Sequence, residues 1–583
     1  MRYTWDLSLL CTDGVWKDKY DKLNEMVDLA NNKLEIFLDN VDLFLDFIHD
    51  YIKINEEIEV IYCYPRRNLD IDLNNEKYKE MFKCALDLYQ KILLLISDFE
   101  NKLMDNCDIV YEYLKDKRCL KHKRYIGLIL RRCKHILKDK SYKLNYETKL
   151  QDIKSSYQDL FNNGFEVNLL LGDRSVTVNR FNYNDLMIDK NQVYRKKIFD
   201  AYTLEYEKCN DTFANLYLDK LKNDISLSKA EGYSSLFSKK LFELELDDST
   251  FLNLISKVNK NLDIMHDFKS LKKEILGLNE FHFYDTSLSV CSIPKVEYKI
   301  EDAIKLIKES LRVLGNDRIL IIDKMFNEGW VDVFPRKDKR SNSYTCISFS
   351  GVPYILTNFD GSINSIRTLA HEIGHAFNVY YSKNNGFEYF EFSYFLTEIA
   401  SKVNELLFNE YMLSNFSSKE EKVYILNNVI ESLTNSLFGQ VMLTEFEFET
   451  VKKLENNEVI NKDFLNDLYL SICKKYNGSS MIYDDNVKYG WCKIPHYFVQ
   501  DSYYLYQYST SVLISCNIVK RLLSNEEGFL DKYIKFLSLG GSTSISEALA
   551  YLDIDLKNEE YTDYAFIMLR EYINELSGIA NRL

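Results

Sequence analysis

Long stretches of a 583-residue chain that holds only five prolines and 19 glycines show apolar residues at three-and-four spacing. Proline removes a backbone donor and glycine loosens the backbone, so a chain this poor in both can run long helices unbroken. The spacing predicts a mainly α protein. It is nearly continuous from Trp16 to about Glu112, with a loop expected at CYPRRNLDIDLNN (63–75), where Pro65 meets an Asn/Asp cluster. Further helices are expected to about residue 270. The exception is 329–360, rich in β-branched and aromatic residues and holding two of the five prolines. Short strands are expected there at SYTCISFS (343–350) and PYILTNF (353–359). A loop then offers Asp360, Ser362 or Asn364 as an N-cap, and Ile363, Ile366, Leu369, Ala370, Ile373 and Phe377 return to helical spacing.

A chain of this length exceeds what one hydrophobic core supports, so at least two lobes are expected. The 89 acidic residues outnumber the 74 basic ones, for a formal charge of −15. That balance opposes binding to a phosphate backbone, which needs a basic surface, and nucleic acid is not expected as a partner. Arg2 and Asp6 sit in an N-terminus without an apolar run or a small-residue cleavage site, and no 18 apolar residues run together. No membrane partner is expected, and the expected location is cytoplasmic. The twelve cysteines form no C-x-x-C pair; the expectation is reduced thiols serving as apolar filler.

The stretch LAHEIGHAFN (369–378) puts His371 and His375 one helical turn apart with Glu372 between them. Both imidazoles project from one face and can reach a single ion at about 2.0 to 2.1 Å. Glu372, about 100° around the axis, is badly placed as a ligand but well placed as a base toward a metal-activated water. A catalytic zinc needs a third protein ligand and an open position. FEFSYFLTEIASKVNELLF (390–408) supplies Glu398 in the middle of an apolar helix, where an unpaired carboxylate needs a cation. Glu405, two turns on, is the alternative ligand or a support behind one.

These residues, TLAHEIGHAFN followed by FLTEIASKVNE, resemble the oligoendopeptidase F family of zinc metallopeptidases, relatives of thimet oligopeptidase. The resemblance runs nearly end to end. YTWDLSLL (3–10) is similar to that family's N-terminal signature, and LLGDRSVTVNRF (170–181), AEGYSS (230–235), LGLNEFHFYD (276–285) and RKDKRSNSYTCISFSGVPYILTNFDG (336–361) are similar to later blocks. It implies one zinc per chain on His371, His375 and Glu398, with Glu372 as general base. It also implies a two-lobed helical metallopeptidase with a deep central channel and a small β-sheet next to the H-E-x-x-H helix. On that reading residues 1–185 form an N-terminal helical lobe and 186–583 the catalytic domain.

In the family a histidine and tyrosines of a later aromatic block contact substrate and stabilise the oxyanion. Here that block is WCKIPHYFVQDSYYLYQYSTS (491–511). His496 is the expected substrate contact, and Tyr503 and Tyr506, one helical turn apart, are the expected donors; Tyr504 and Tyr508 are the other candidates. Departures from the family pattern are Asn378 in place of histidine, and Asp338 and Asn342 in place of glycine. Glu391 is a candidate to orient a ligand histidine.

The expected function is a zinc-dependent oligoendopeptidase that hydrolyses internal bonds of short, unfolded peptides through a zinc-bound water activated by Glu372. Extended peptide could pair with SYTCISFS by strand addition. The alternatives are a catalytically silent peptide-binding protein of the same fold and a zinc carboxypeptidase.

Overall fold

A computed structural model describes residues 3–137, 140–163, 165–291, 297–346, 352–390, 394–415 and 418–580. It is built mainly of helices. Two compact units interleave along the chain: Met1–Ile136, Lys295–Tyr411 and Ile518–Ile554 form one, and Leu137–Pro294, Met412–Asn517 and Asp555–Leu583 the other. Lobes of 1–185 and 186–583 were expected, whereas each unit gathers three separate stretches.

In the first unit the helices Asp13–Lys33, Val41–Ile71 and Glu76–Asp105 surround a core in which Phe37, Phe44, Phe47, Tyr51 and Phe99 pack ring against ring. The break expected at Pro65 is absent. Pro65 lies inside the helix Val41–Ile71, and the chain turns only at 72–75. A proline cannot donate to the carbonyl four residues back, which here is that of Ile61. The indole N–H of Trp16 donates to that carbonyl instead, at 2.9 Å, so the freed acceptor is satisfied from a neighbouring helix. Reduced thiols throughout were also expected, but Cys107 and Cys133 are bonded as a disulfide.

Among the described residues the sheet of this unit has three very short strands. Val331–Asp332 runs parallel to Ile355–Leu356, which pairs antiparallel with Tyr344–Thr345 at the edge. Among the described residues the strands expected over 343–350 and 353–359 are present only as these cores, and residues 347–350 lie outside the described set. Buried Asp332 is held by Lys339 at 2.7 Å and Arg336 at 2.6 Å. Lys339 also donates to the carbonyl of Phe334 at 2.8 Å, which folds the 333–339 loop onto the sheet. Asp338, where the family resemblance implies glycine, has φ +65°. The sheet delivers the chain into the helix Ile363–Ser382, whose N-cap is Ser362, accepting from the N–H of Ser365 at 3.1 Å.

In the second unit an antiparallel hairpin, Glu166–Leu171 with Arg174–Asn179, interrupts the helices expected there. Its two-residue turn is Gly172-Asp173, with Gly172 at φ +63°. The helices Asn210–Ala230, Gln440–Glu455 and Lys462–Asn477 build much of the rest, together with residues 506–517 of the helix Tyr506–Leu523. Among the described residues no helix is long and apolar enough to cross a membrane.

Candidate metal centre

His371, Glu372 and His375 lie on the helix Ile363–Ser382, and Glu398 and Glu405 on the helix Tyr394–Asn415, all within the first unit. The two helices meet closely because Gly374, between the histidines, has no side chain. A Cβ there would lie 2.4 Å from the carbonyl oxygen of Ala400 and 2.5 Å from the Cα of Ser401. That contact brings Glu398 to the histidine face. Its Oε2 is 3.6 Å from Nε2 of His371 and 3.8 Å from Nε2 of His375. One ligand atom from each of the three residues falls within 4.8 Å of the others. Tetrahedral zinc with bonds of about 2.0 to 2.2 Å spaces its donor atoms about 3.3 to 3.6 Å apart, so the two carboxylate–imidazole separations fit after a contraction of at most a few tenths of an ångström.

The surroundings of the three donors favour a cation among them. Nδ1 of His371 is 3.3 Å from Oε2 of buried Glu405. When that nitrogen carries the proton of a neutral ring, Nε2 presents a lone pair toward the Glu398 carboxylate, and acceptor faces acceptor. Glu405 is itself held by Lys402 at 2.8 Å, with Arg367 at 3.9 Å. Burial works against its charge, but Lys402, the bond to His371 and Arg367 prevail and hold its carboxyl well below the usual range. Burial depresses the imidazolium of His375 to about 4, which leaves a neutral ring able to ligate near neutral pH. Glu398 is the more open carboxylate, and Ser401 Oγ lies 3.1 Å from its Oε2.

Glu372, between the two histidines in sequence, is buried. The hydroxyl of Thr345, on the edge strand, lies 2.7 Å from Oε2 of Glu372 and 2.8 Å from the backbone carbonyl oxygen of Glu372. Burial pushes the Glu372 carboxyl above the ordinary glutamate range, with His371 and Thr345 pulling the other way. Asn378, where the resemblance implies histidine, donates to the carbonyl of Thr397 at 3.4 Å and ties the two helices together beside Glu398. Thr345 and Gly374 were missed in the sequence. The only signal for Gly374 was a residue without a side chain between two candidate ligands on a helix. Glu391 lies outside the described residues.

His496, Tyr503 and Tyr506 belong to the second unit. Helical spacing singled out Tyr503 and Tyr506, but the helix begins only at Tyr506, and Tyr503 has φ +60°. Both rings are buried, each edge-on to Phe251 at 5.8 and 5.2 Å. The partly exposed pair is Tyr504 and Tyr508. Tyr504 stacks on His496 at 6.0 Å, and Tyr508 stands edge-on to both.

Known proteins resemble the chain over nearly its whole length. It is 29% identical to an oligoendopeptidase F homolog of Borreliella burgdorferi, over 99% of this chain and 98% of the relative. It is 26% identical to the oligopeptidase PepF of Bacillus subtilis, over 99% and 87%. Among solved structures, a Chlamydophila abortus protein superposes with a TM-score of 0.92 at 25% identity, covering 99% of this chain and 98% of that one. Oligoendopeptidase-F from Enterococcus faecium has the same fold, with a TM-score of 0.75 at 23% identity over 98% and 100%. Residues 186–566 match the family described as Peptidase family M3. The chain belongs to peptidase family M3.

Proposed function

We propose that this peptidase is a zinc-dependent oligoendopeptidase that cuts internal bonds of short, unfolded peptides, with Glu372 as its general base. The observation that carries the reading is the convergence of His371, His375 and Glu398 donor atoms within 4.8 Å on a helix pair that also presents buried Glu372. Zinc held by those three residues would supply Lewis acidity, lowering the pKa of a water and polarising a peptide carbonyl. Glu372 accepts the proton of the attacking water and passes it to the departing amine. Thr345 orients that carboxylate, and burial raises its pKa toward the working pH, where a base is most effective. Tyr344–Thr345, at the sheet edge, offers backbone groups to an extended substrate. His496 contacts substrate, and of the four tyrosines, exposure favours Tyr504 and Tyr508 over Tyr503 and Tyr506 as donors to the oxyanion.

The test is a digest of mixed peptides, with and without a chelator, read by mass spectrometry. Internal cuts that stop with chelator and resume with zinc are expected. Single C-terminal losses would favour a carboxypeptidase, and no turnover a silent peptide binder.

Two further results are expected. Glu405→Ala, which removes the acceptor behind His371, should weaken zinc affinity about 10- to 100-fold, measured by competition with a chromophoric chelator. An unchanged affinity would deny Glu405 that role. The raised pKa of Glu372 sets the sign of the acid limb, because a base protonated at higher pH is lost earlier on acidification. The limb of kcat/KM should therefore lie above pH 4.5, the ordinary value for this carboxyl. A limb at or below that value, in protein still holding zinc, would contradict the assignment.

A further inference from the structure

The aromatic block of the second unit turns sharply before its helix, and the turn is gripped from beneath. Tyr503 has φ +60°, a left-handed conformation that a residue with a side chain keeps only where its surroundings impose it. Its backbone N–H donates to Oε2 of Glu447 at 3.0 Å. The preceding residue is held as well. Ser502 Oγ donates to Oδ2 of Asp224 at 2.8 Å and accepts from Nζ of Lys220 at 3.0 Å, while Lys220 and Asp224 pair at 2.8 Å. Tyr146 donates to the other oxygen of Asp224 at 2.9 Å. Lys220, Asp224, Glu447 and Ser502 are all buried. Two helices, Asn210–Ala230 and Gln440–Glu455, therefore direct ionisable groups at two successive residues of one turn.

Burying charged groups is unfavourable unless they are paired and bonded, and apolar residues would fill such a site more cheaply. What they provide is direction. The backbone at Tyr503 sets where Tyr504 leaves the chain, and Tyr504 is the partly exposed ring that stacks on His496 and meets Tyr508 at 5.6 Å. Tyr503 itself is clamped between Phe237 and Phe251, so the turn has little freedom to relax through its side chain.

We propose that Glu447, seconded by the Lys220–Asp224 pair through Ser502, is a positioning residue that aims Tyr504 at the substrate. The inference rests on the reading that His496, Tyr504 and Tyr508 meet the peptide during hydrolysis. Glu447 touches no reacting atom. It acts through one backbone hydrogen bond, and a displacement of about 1 Å in such a group lowers turnover by about 10²-fold.

The experiment compares Glu447→Ala, Glu447→Gln, Tyr504→Phe, Tyr508→Phe and the double variant Glu447→Ala/Tyr504→Phe in the full chain. Each is assayed for kcat and KM on a quenched peptide, with zinc content and melting temperature measured alongside. Glu447→Ala is expected to lose about 10²-fold in kcat with little change in KM, while Glu447→Gln, which keeps an acceptor, retains most of the rate. In the double variant the two losses should not multiply, because both act through the same hydroxyl. A folded, zinc-loaded Glu447→Ala protein with wild-type kcat overturns the inference and leaves the proposed function standing. So does a Gln variant as slow as the Ala variant, or losses that multiply in the double. Wild-type rates in Tyr504→Phe and Tyr508→Phe would instead remove the reading on which it rests, and the inference with it. Should Glu447→Ala fail to fold, Ser502→Ala replaces it. That variant frees the turn from Asp224 and Lys220, and the same fall in kcat is expected, with a wild-type rate overturning the inference.

Discussion

Replacing Glu372 by glutamine is expected to lower kcat/KM for peptide hydrolysis by about 10²- to 10⁴-fold, the range assigned to a positioned proton-transfer group. The substitution keeps the side chain's shape and an oxygen within reach of Thr345, whose hydroxyl lies 2.7 Å from the native carboxylate. It removes only the ability to take a proton. Zinc should stay bound, because Glu372 is not among the converging donors His371, His375 and Glu398. His375→Ala makes the contrast, since it removes one of the three proposed ligands and should lose metal and activity together. Parallel metal analysis and kinetics on the two variants separate base from ligand. Full activity in the glutamine variant would take the role from Glu372.

The second large effect is expected at Gly374. A methyl group there would lie 2.4 Å from the Ala400 carbonyl and 2.5 Å from Ser401 Cα, and both obstacles are backbone of the opposing helix. Neither can rotate aside, so Gly374→Ala must separate the helices Ile363–Ser382 and Tyr394–Asn415. Overpacking of this kind costs about 1 to 3 kcal/mol or more. The displacement falls between His371 and His375 on one side and next to Glu398 on the other. The separations of 3.6 and 3.8 Å must therefore lengthen, and zinc affinity should fall along with the melting temperature. An alanine variant that melts and binds zinc as the wild type does would show that the close approach is not what sets the ligand distance.

Much of the first unit's site was legible because its signals are local. Ser362 caps the helix that apolar spacing predicted, and His371, Glu372 and His375 follow from one turn of that helix. Glu398 was chosen as a carboxylate stranded in apolar sequence. The structure gives that description better to Glu405, the more buried of the two, and geometry rather than burial brings Glu398 to the histidines. What escaped depends on partners distant in the chain. Pro65 was read as a break because the Trp16 indole that satisfies the Ile61 carbonyl lies 45 residues away from it. Thr345 reaches Glu372 across 27 residues, and Cys107 meets Cys133 across 26. The tyrosines were read on a helical spacing that the backbone does not keep. Spacing of three implies a shared face only inside a helix, and the left-handed backbone at Tyr503 turns that ring into the core while its neighbour stays partly exposed.

The central claim is that one zinc ion sits among His371, His375 and Glu398. Its most direct test is anomalous diffraction at the zinc edge from crystals of the purified protein. A single strong peak is expected within about 2.0 to 2.2 Å of both Nε2 atoms and a Glu398 oxygen. A zinc peak coordinated elsewhere, or crystals grown with zinc in which Glu398 turns away from both imidazoles, would contradict it.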